Sequence, residues 1–469
     1  MELIAESFLN DPRLKQSRSL VQQAVAEHSS RLTGAKPPDP QRQAQYKELI
    51  EQFTRLRGGA LYFPFLGSGM GNGSLVELAD GSVKYDFISG IGVHYLGHCH
   101  PLLVDAAMTA AFGDTIMQGN LQQNVQAVQL VQTMVDMAKT GGAPLEHCFV
   151  STSGAMANEN ALKLMFHKKR GTTRVLAFEH CFCGRTMVLS QITDKPQYRV
   201  GLPKVLEVDY VPFFDHTRPA ESIDRAVETL RAHLASHPGQ HAGMCLELIL
   251  GEGGYWVGSR DFFLALIAVL RQHQLPVWID EIQTFGRTLR PFAFSHFGLD
   301  DLVDIVTIGK LTQLCATIFR PEFKPEPGLL SQTFIASTAA ITTAQVILDR
   351  MNQGDLFGPA GRINRLHHSI VARLEAIARR HPGWISGPFG LGAMIAFTPF
   401  DGREAVVKDL LRRLFDNGVI AFYAGSDPAR VRFLMPVAAV TEEDIQKVCM
   451  ILEETMEQMQ KEKSAAGAI

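Results

Sequence analysis

The sequence lacks the features that mark membrane, secreted and nucleic-acid-binding proteins. No apolar run approaches the roughly 18 to 20 residues that cross a bilayer. Residues 1–6 show no basic start followed by an apolar stretch, as a signal peptide would. The 45 lysines and arginines nearly balance the 48 acidic residues and form no basic block, which argues against an extended nucleic-acid surface. We therefore expect a cytoplasmic protein with no membrane span and no nucleic-acid partner.

The cysteines also lack a pattern. Seven are scattered over 469 residues, an odd number that does not suggest a disulfide framework in a chain of this size. A zinc site would need paired cysteines or histidines at regular short spacings. Residues 98–100 (His-Cys-His) and 180–183 (His-Cys-Phe-Cys) come nearest, and neither has such a spacing. We predict no metal site.

Helical stretches alternate with short apolar runs after about residue 100. The runs are apolar on both faces and four to six residues long, which is typical of buried strands in a parallel sheet. They lie at residues 175–178, 244–249, 276–279 and 305–308. This alternation predicts an α/β domain with helices on both sides of the sheet.

The two ends of the chain differ from this middle part. Residues 1–60 predict polar, amphipathic helix broken near residues 37–40, and residues 74–87 predict a hairpin around the Asp-Gly turn. Helices at 360–380 and 403–417 alternate with strands near 392–398 and 430–434. We predict three segments: 1–99, an N-terminal segment with part of a small domain; 100–350, a large domain; and 351–469, the C-terminal small domain.

Three chemically distinct features follow predicted strands. Asp280 follows residues 276–279, Lys310 follows residues 305–308, and a helix starting at Ser153-Gly154 follows Phe149-Val150. Because the carboxyl ends of parallel strands share one edge of a sheet, these features should lie together. A helix start binds phosphate, a lysine can form Schiff bases with carbonyl compounds, and an aspartate can keep a pyridine nitrogen protonated. The combination suits pyridoxal phosphate. A simple buried Asp–Lys ion pair would leave the helix start unexplained.

Several ordered segments strengthen this interpretation. They are residues 87–93, 96–101, 153–163, 182–186, 247–254, 280–284 with Lys310, and 431–436. Together they resemble the motifs of class III (ornithine/4-aminobutyrate-type) aminotransferases, pyridoxal-phosphate enzymes of fold type I. The resemblance implies an α/β fold: a large domain with a mostly parallel seven-stranded sheet, and a smaller α+β domain built from both termini.

The resemblance also implies roles for individual residues at the cofactor. Lys310 would form the Schiff base and move the proton, and Asp280 would pair with the pyridinium nitrogen. The other implied contacts are Ser153, Gly154 and Ala155 at the phosphate, Phe182 on the ring face, Gln283 at the phenolic oxygen, and Thr333 at the phosphate of a partner subunit. The active site would thus be shared within a homodimer.

Carboxylate-bearing substrates would be bound by two arginines, because a guanidinium holds a carboxylate in a bidentate fork. By resemblance, these are Arg185 and Arg432. Glu252 would pair with the second arginine and mask it for one of the two substrates. Glu247 would hold the residues around the site in place without contacting the cofactor itself.

The implied reaction moves an amino group from an ω-amino donor to a 2-oxoacid such as 2-oxoglutarate in a ping-pong cycle. The donor would belong to the 4-aminobutyrate, ornithine, acetylornithine or lysine class, and residues 309–315 look closest to the lysine ε- and 4-aminobutyrate branches. An aminomutase or racemase of the same fold is the alternative, although Arg432 and Glu252 favour two substrates. A nucleotide-binding dehydrogenase would rest only on the glycine-rich residues 67–73, which lead into a hairpin instead of a helix. Cys183 departs from the family pattern, which usually has histidine there.

Overall fold

The computed structural model describes residues 3–114 and 117–466. Its contacts divide the chain into two compact units. One comprises Met1–Gly113, Arg362–Phe389 and Ala393–Ile469, and the other comprises Asp114–Gly361 with Gly390–Gly392. The first unit therefore contains segments from both ends of the chain. The three domain boundaries derived from the sequence stay a prediction.

Seven strands form the main sheet of the unit that holds residues 114–361. In chain order they are β1 (His147–Ser151), β2 (Arg174–Phe178), β3 (Glu207–Val211), β4 (His241–Leu246), β5 (Val277–Glu281), β6 (Ile305–Ile308) and β7 (Cys315–Phe319). Their spatial order is β1-β7-β6-β5-β4-β2-β3. Strand β7 runs antiparallel to both neighbours and all other pairs are parallel. The mostly parallel seven-stranded sheet is confirmed.

Each of the four predicted apolar runs overlaps a strand (β2, β4, β5 and β6), whereas β3 and β7 were not predicted. Every residue of β5 and β6 is buried, as expected for the centre of a sheet covered on both faces. The predicted run 244–249 was wrong at its end, because β4 stops at Leu246 and Ile249–Leu250 pairs separately with Trp256–Val257. The chain turns at Glu247, whose buried carboxylate accepts from the N–H groups of Phe182 and Gly251.

Helices flank this sheet, and short elements connect them. The α-helices are Val125–Lys139, Gly154–Lys168, Leu189–Ile192, Pro219–Ser236, Arg260–Gln272, Ala293–His296 and Thr338–Met351. The 3₁₀ turns are Pro196–Tyr198, Asp300–Leu302, Lys310–Thr312 and Pro321–Phe323. Two further short strands, Met117–Gln118 and Ala336–Ser337, pair with each other.

The other unit contains two four-stranded sheets and most of the polar helices. Its helices are Ile4–Leu9, Pro12–Ser29, Gln43–Arg57, Ser89–Gly92, Pro101–Phe112, Arg362–Arg380, Glu404–Asp416 and Glu442–Ala466. One sheet comprises Gly67–Asn72, Leu75–Leu78, Val83–Asp86 and Val419–Ile420 in that order, and the other comprises Ile385–Leu391, Met394–Pro399, Arg430–Leu434 and Phe422–Ala424.

The hairpin predicted at residues 74–87 is confirmed, since Leu75–Leu78 and Val83–Asp86 pair antiparallel. The glycine-rich run Gly67–Asn72 is itself a strand paired with Leu75–Leu78, so it does not open a helix as a dinucleotide-binding loop would. Within the described ranges, no helix combines the length and apolar character needed to cross a membrane.

Candidate active site

Asp280 lies at the carboxyl end of strand β5 and is 5% exposed. One carboxylate oxygen accepts from the Ile282 N–H at 3.0 Å, and the other accepts from Asn158 Nδ2 at 2.7 Å. Burial raises the pKa of Asp280 to about 6, while these two hydrogen bonds and the charge of Lys310 act in the opposite direction. The carboxylate is therefore mostly ionised at neutral pH despite its burial.

Ile282 brings the three predicted features together. A Cβ placed on Gly154 would lie 2.9 Å from Ile282 Cγ2, and one placed on Gly309 would lie 3.1 Å from Ile282 Cδ1. The phosphate-type helix start and the residue before Lys310 thus both pack on the side chain two residues after Asp280. Lys310 itself is half-buried and has a φ of +54°, a left-handed conformation that non-glycine residues rarely adopt.

The start of helix Gly154–Lys168 has N–H groups available for an anion. Ser153 caps the helix, and its Oγ accepts from the Met156 N–H at 3.3 Å. The first N–H groups of a helix have no acceptor within the helix. No acceptor among the described residues takes the Gly154 or Ala155 N–H. Together with the helix dipole, these donors favour a phosphate group.

Glu247 links the loop at Phe182 to the turn at Gly251 at this edge of the sheet. Its carboxylate accepts from the Phe182 N–H at 2.7 Å and the Gly251 N–H at 3.2 Å. A Cβ on Gly251 would lie 2.7 Å from Gln283 Oε1, so buried Gln283 lies directly against this turn. Burial raises the pKa of Glu247 to about 8, and the nearby Asp280 charge adds to the rise.

The next residue in the sequence, Glu281, is also a buried acidic residue, but its side chain contacts the start of helix Ala293–His296. It is fully buried and accepts from the N–H groups of Ala293 and Phe294, both at 2.8 Å. Burial raises the pKa of Glu281 to about 8, although these hydrogen bonds oppose the rise. Glu281 therefore secures the start of helix Ala293–His296.

Arg185 projects from the loop after Phe182 and is exposed. Its guanidinium carbon lies 4.0 Å from the ring centroid of Tyr198 and 5.9 Å from that of Phe182. Among the described residues, no carboxylate lies within ion-pair distance of Arg185. The Arg185 guanidinium is thus held against aromatic rings, and its N–H groups form no ion pair with a described acidic side chain.

The remaining predicted residues are more dispersed. Glu252 is half-buried in the turn after Glu247, and Thr333 is exposed, with its carbonyl oxygen against Gly119. Arg432 belongs to the other unit, where it is fully buried in strand Arg430–Leu434 with its guanidinium 5.5 Å from the Phe422 ring centroid. The contacts around Ile282 therefore unite Gly154, Gly309 and the loop after Asp280, and Thr333 is not among these contacts.

Some residues of the site had no role in the sequence interpretation. Asn158 and Tyr198 contact Asp280 and Arg185, respectively. Cys183 and Cys245 bring their sulfur atoms to 3.5 Å, and with Asp280 they form a buried group of metal-ligand type. Burial raises the pKa of Cys245 to about 12, so the thiols remain protonated. Only Asn158 could have been found from the sequence, because it lies in the first turns of the phosphate-type helix. The contacts of Tyr198, Cys183 and Cys245 depend on long-range packing.

Comparison with known proteins agrees with this geometry. The family model described as Aminotransferase class-III matches residues 65–456. The acetylornithine/succinyldiaminopimelate aminotransferase of Photorhabdus laumondii is 28% identical over 405 residues, which cover 83% of this chain and 93% of that protein. The acetylornithine aminotransferase of Bacillus subtilis is 29% identical over 383 residues, covering 80% and 90%.

Solved structures give the same result. Lysine aminotransferase from M. tuberculosis superposes with a TM-score of 0.77 at 25% identity, covering 87% of this chain and 98% of that one. Ornithine aminotransferase from Toxoplasma gondii ME49 has the same fold, with a TM-score of 0.76 at 21% identity and coverage of 89% and 96%. With a match over most of its length, the chain belongs to the class-III aminotransferase family, pyridoxal-phosphate-dependent enzymes of fold type I.

Proposed function

We propose that this enzyme transfers the amino group of an ω-amino donor to a 2-oxoacid, with Lys310 and Asp280 as its catalytic residues. The observation that carries the assignment is the packing of Gly154, Gly309 and the loop after Asp280 around Ile282. This packing puts an anion-binding helix start, a lysine and an ionised aspartate at one edge of one sheet.

The residues present fit pyridoxal phosphate. The available N–H groups of Gly154 and Ala155 suit the phosphate, with Ser153 beside them. A Cβ on Gly154 would lie 2.9 Å from Ile282 Cγ2, so glycine lets this helix start pack closely on the loop after Asp280. Asp280 is held ionised by two donors, which suits a protonated ring nitrogen. Phe182 and Gln283 would provide the ring face and the contact to the phenolic oxygen.

When bound, pyridoxal phosphate supplies a carbonyl that captures amines and a ring that accepts negative charge from the carbon losing its proton. Lys310 Nζ would take that proton and return it, so the lysine would act as both base and acid. Asp280 would face the ring nitrogen and favour its protonated form, because Asn158 and the Ile282 N–H keep Asp280 ionised. Glu247 fixes the backbone at Phe182 and Gly251, and so the loops that cover the site.

Substrate carboxylates would be bound by Arg185 and Arg432. Arg185 is supported by its position on the Tyr198 ring, with no competing carboxylate among the described residues. Arg432 is supported by its motif. Glu252, in a turn rich in glycine, would mask Arg432 for one of the two substrates. Such alternation lets one site serve an amine donor and a 2-oxoacid in turn.

The donor class is best sought among the substrates named for related enzymes. Relatives are named for acetylornithine and succinyldiaminopimelate, and structural neighbours for lysine and ornithine. Acetylornithine, lysine and ornithine each carry a terminal amine and a distant carboxylate. We expect a donor of this shape, acting in the cytoplasm, where seven free thiols would persist in the reduced form.

A donor panel with 2-oxoglutarate tests the proposal. The purified protein should absorb at about 410 to 430 nm, as a lysine-bound cofactor does. At least one ω-amine should then yield glutamate. A colourless protein that takes up no pyridoxal phosphate would contradict the assignment, and rearrangement of an amino acid without a 2-oxoacid would favour the aminomutase.

A homodimer with a shared site is the second part of the proposal. It is supported by the exposure of Thr333 on the edge loop before Ala336–Ser337. Complementation tests it: Lys310→Ala and Thr333→Arg proteins should each be inactive. Mixed under conditions that exchange subunits, they should recover about a quarter of wild-type activity, because half of the dimers would carry one intact site. No recovery despite proven exchange would show that Thr333 serves its own subunit.

A further inference from the structure

Arg185 owes its position to a neighbouring segment of the chain, residues 193–199. Thr193 is fully buried, and its hydroxyl donates to the Gly184 carbonyl at 2.8 Å while accepting from the N–H groups of Cys183 and Gly184. The backbone on the N-terminal side of Arg185 is therefore fixed by one side chain. The same segment carries Tyr198, whose ring lies against the Arg185 guanidinium.

The segment is itself held in place. Arg199 donates from Nη1 to the carbonyls of Ser190 at 3.1 Å and Thr193 at 2.7 Å. Pro196 begins the 3₁₀ turn that carries Tyr198. The Tyr198 ring also meets Phe182 edge to face, with centroids 6.3 Å apart. These contacts hold the Tyr198 ring in one position.

A cation on an aromatic face differs from a cation in an ion pair. In an ion pair, the guanidinium N–H groups are consumed by a carboxylate, and a ligand must compete for them. On the Tyr198 ring, the attraction acts through the face of the guanidinium plane and leaves the N–H groups at its edge for a ligand. Such an arginine is oriented before the substrate arrives, so less conformational entropy is lost when a carboxylate binds.

Building on the proposed role of Arg185, we infer that Tyr198 is a positioning residue that sets the affinity of this enzyme for the substrate carboxylate. Tyr198 acts through Arg185 and does not touch the reacting atoms. Its contribution acts through the aromatic ring that carries the guanidinium. Substrates without the carboxylate gain nothing from it.

Two variants separate the ring from the hydroxyl. Tyr198→Leu removes the ring and Tyr198→Phe retains it. In the holoenzyme, Tyr198→Leu should raise KM for a carboxylate-bearing ω-amine by about 2- to 5-fold, the range expected for a lost cation–π contact at an exposed site. The value of kcat should stay within about twofold, because binding and not chemistry is affected. Tyr198→Phe should restore the wild-type KM.

Two comparisons show whether the effect passes through Arg185. The first uses a matched amine that lacks the carboxylate, for which Tyr198→Leu should leave kcat/KM unchanged. The second is a double-mutant cycle, in which Arg185→Gln/Tyr198→Leu should be no worse than Arg185→Gln alone. The cofactor absorbance of every variant checks that the fold and the cofactor site are intact.

The outcomes distinguish this inference from the assignment on which it rests. If the wild-type protein transfers amino groups but Tyr198→Leu has an unchanged KM, the role of Tyr198 is wrong and the proposed function stands. Equal losses with both amines, or additive losses in the cycle, would also overturn it. If no amine is transferred by the wild-type protein, the proposed function itself fails.

Discussion

Replacing Asn158 by leucine should move the pH at which the enzyme loses its cofactor. Asn158 is 2% exposed and donates to Asp280 Oδ2 at 2.7 Å and to the Cys183 carbonyl at the same distance. The first bond stabilises the ionised form of Asp280 more than the protonated form and so lowers the pKa of Asp280. Leucine has a similar size and no hydrogen-bond donor. The substitution should therefore raise the pKa of Asp280 from its value of about 6 in the wild-type protein.

The size of the shift follows from the bond that is lost. A hydrogen bond to a charged group contributes about 1.5 to 3 kcal/mol, or about 1 to 2 pKa units. The pKa of Asp280 should therefore rise to about 7 or 8 in the cofactor-free variant. Near pH 7, the ionised fraction then falls by about two- to tenfold, and cofactor affinity should fall with it.

Absorbance titration with pyridoxal phosphate from about pH 5.5 to about pH 9 measures this shift. Asn160→Leu is the matched control: Asn160 is on the same helix, is 1% exposed, and donates to Ser151 Oγ instead of Asp280. Asn158→Leu loses two buried hydrogen bonds and Asn160→Leu loses one, but only the bond from Asn158 to Asp280 should move the pH midpoint of binding. Equal midpoints in both variants would refute the argument that Asn158 sets the charge of Asp280.

Three further substitutions test other parts of the site. Lys310→Ala should still bind pyridoxal phosphate but lose turnover by about 10³-fold or more, because no other residue moves the proton at Nζ; unchanged kcat would remove Lys310 from its role. Gly154→Ala should weaken cofactor binding about tenfold, since its Cβ would lie 2.9 Å from Ile282 Cγ2, whereas Gly113→Ala, in open space, should leave cofactor affinity unaltered. In urea unfolding, Glu281→Gln should flatten the pH dependence of stability. The native pKa of Glu281 is about 8 against a usual 4.5, so the folded chain alone holds that proton between these values and wild-type stability falls as pH rises. Between these pH values, the unfolding free energy of the variant should fall less steeply with pH than that of the wild type, by about 1.4 kcal/mol per pH unit. If the two plots of unfolding free energy against pH are parallel, Glu281 is not protonated in the folded state.

The chain by itself predicted strands β2, β5 and β6 and the helix that begins at Gly154, but it did not predict strands β3 and β7. Runs of apolar residues specify buried strands within a few positions, so Asp280 and Lys310 could be placed at the edge of the sheet from sequence. The glycine at the start of helix Gly154–Lys168 was recognisable for the same reason, because a helix start is encoded by neighbouring residues. The end of strand β4 was missed, since Glu247 turns the chain through bonds to Phe182, 65 positions away.

Tertiary structure alone decided how these local features act together. The bond from Asn158 to Asp280 spans 122 positions, and no periodicity in the chain relates the two residues. The stacking of Arg185 on Tyr198 depends on how the loop after Thr193 folds back, and the shared contact of Gly154 and Gly309 depends on the side chain of Ile282. The residue types that chemistry requires are a property of local sequence, whereas their charge states, orientations and close contacts arise only when distant segments pack and exclude water.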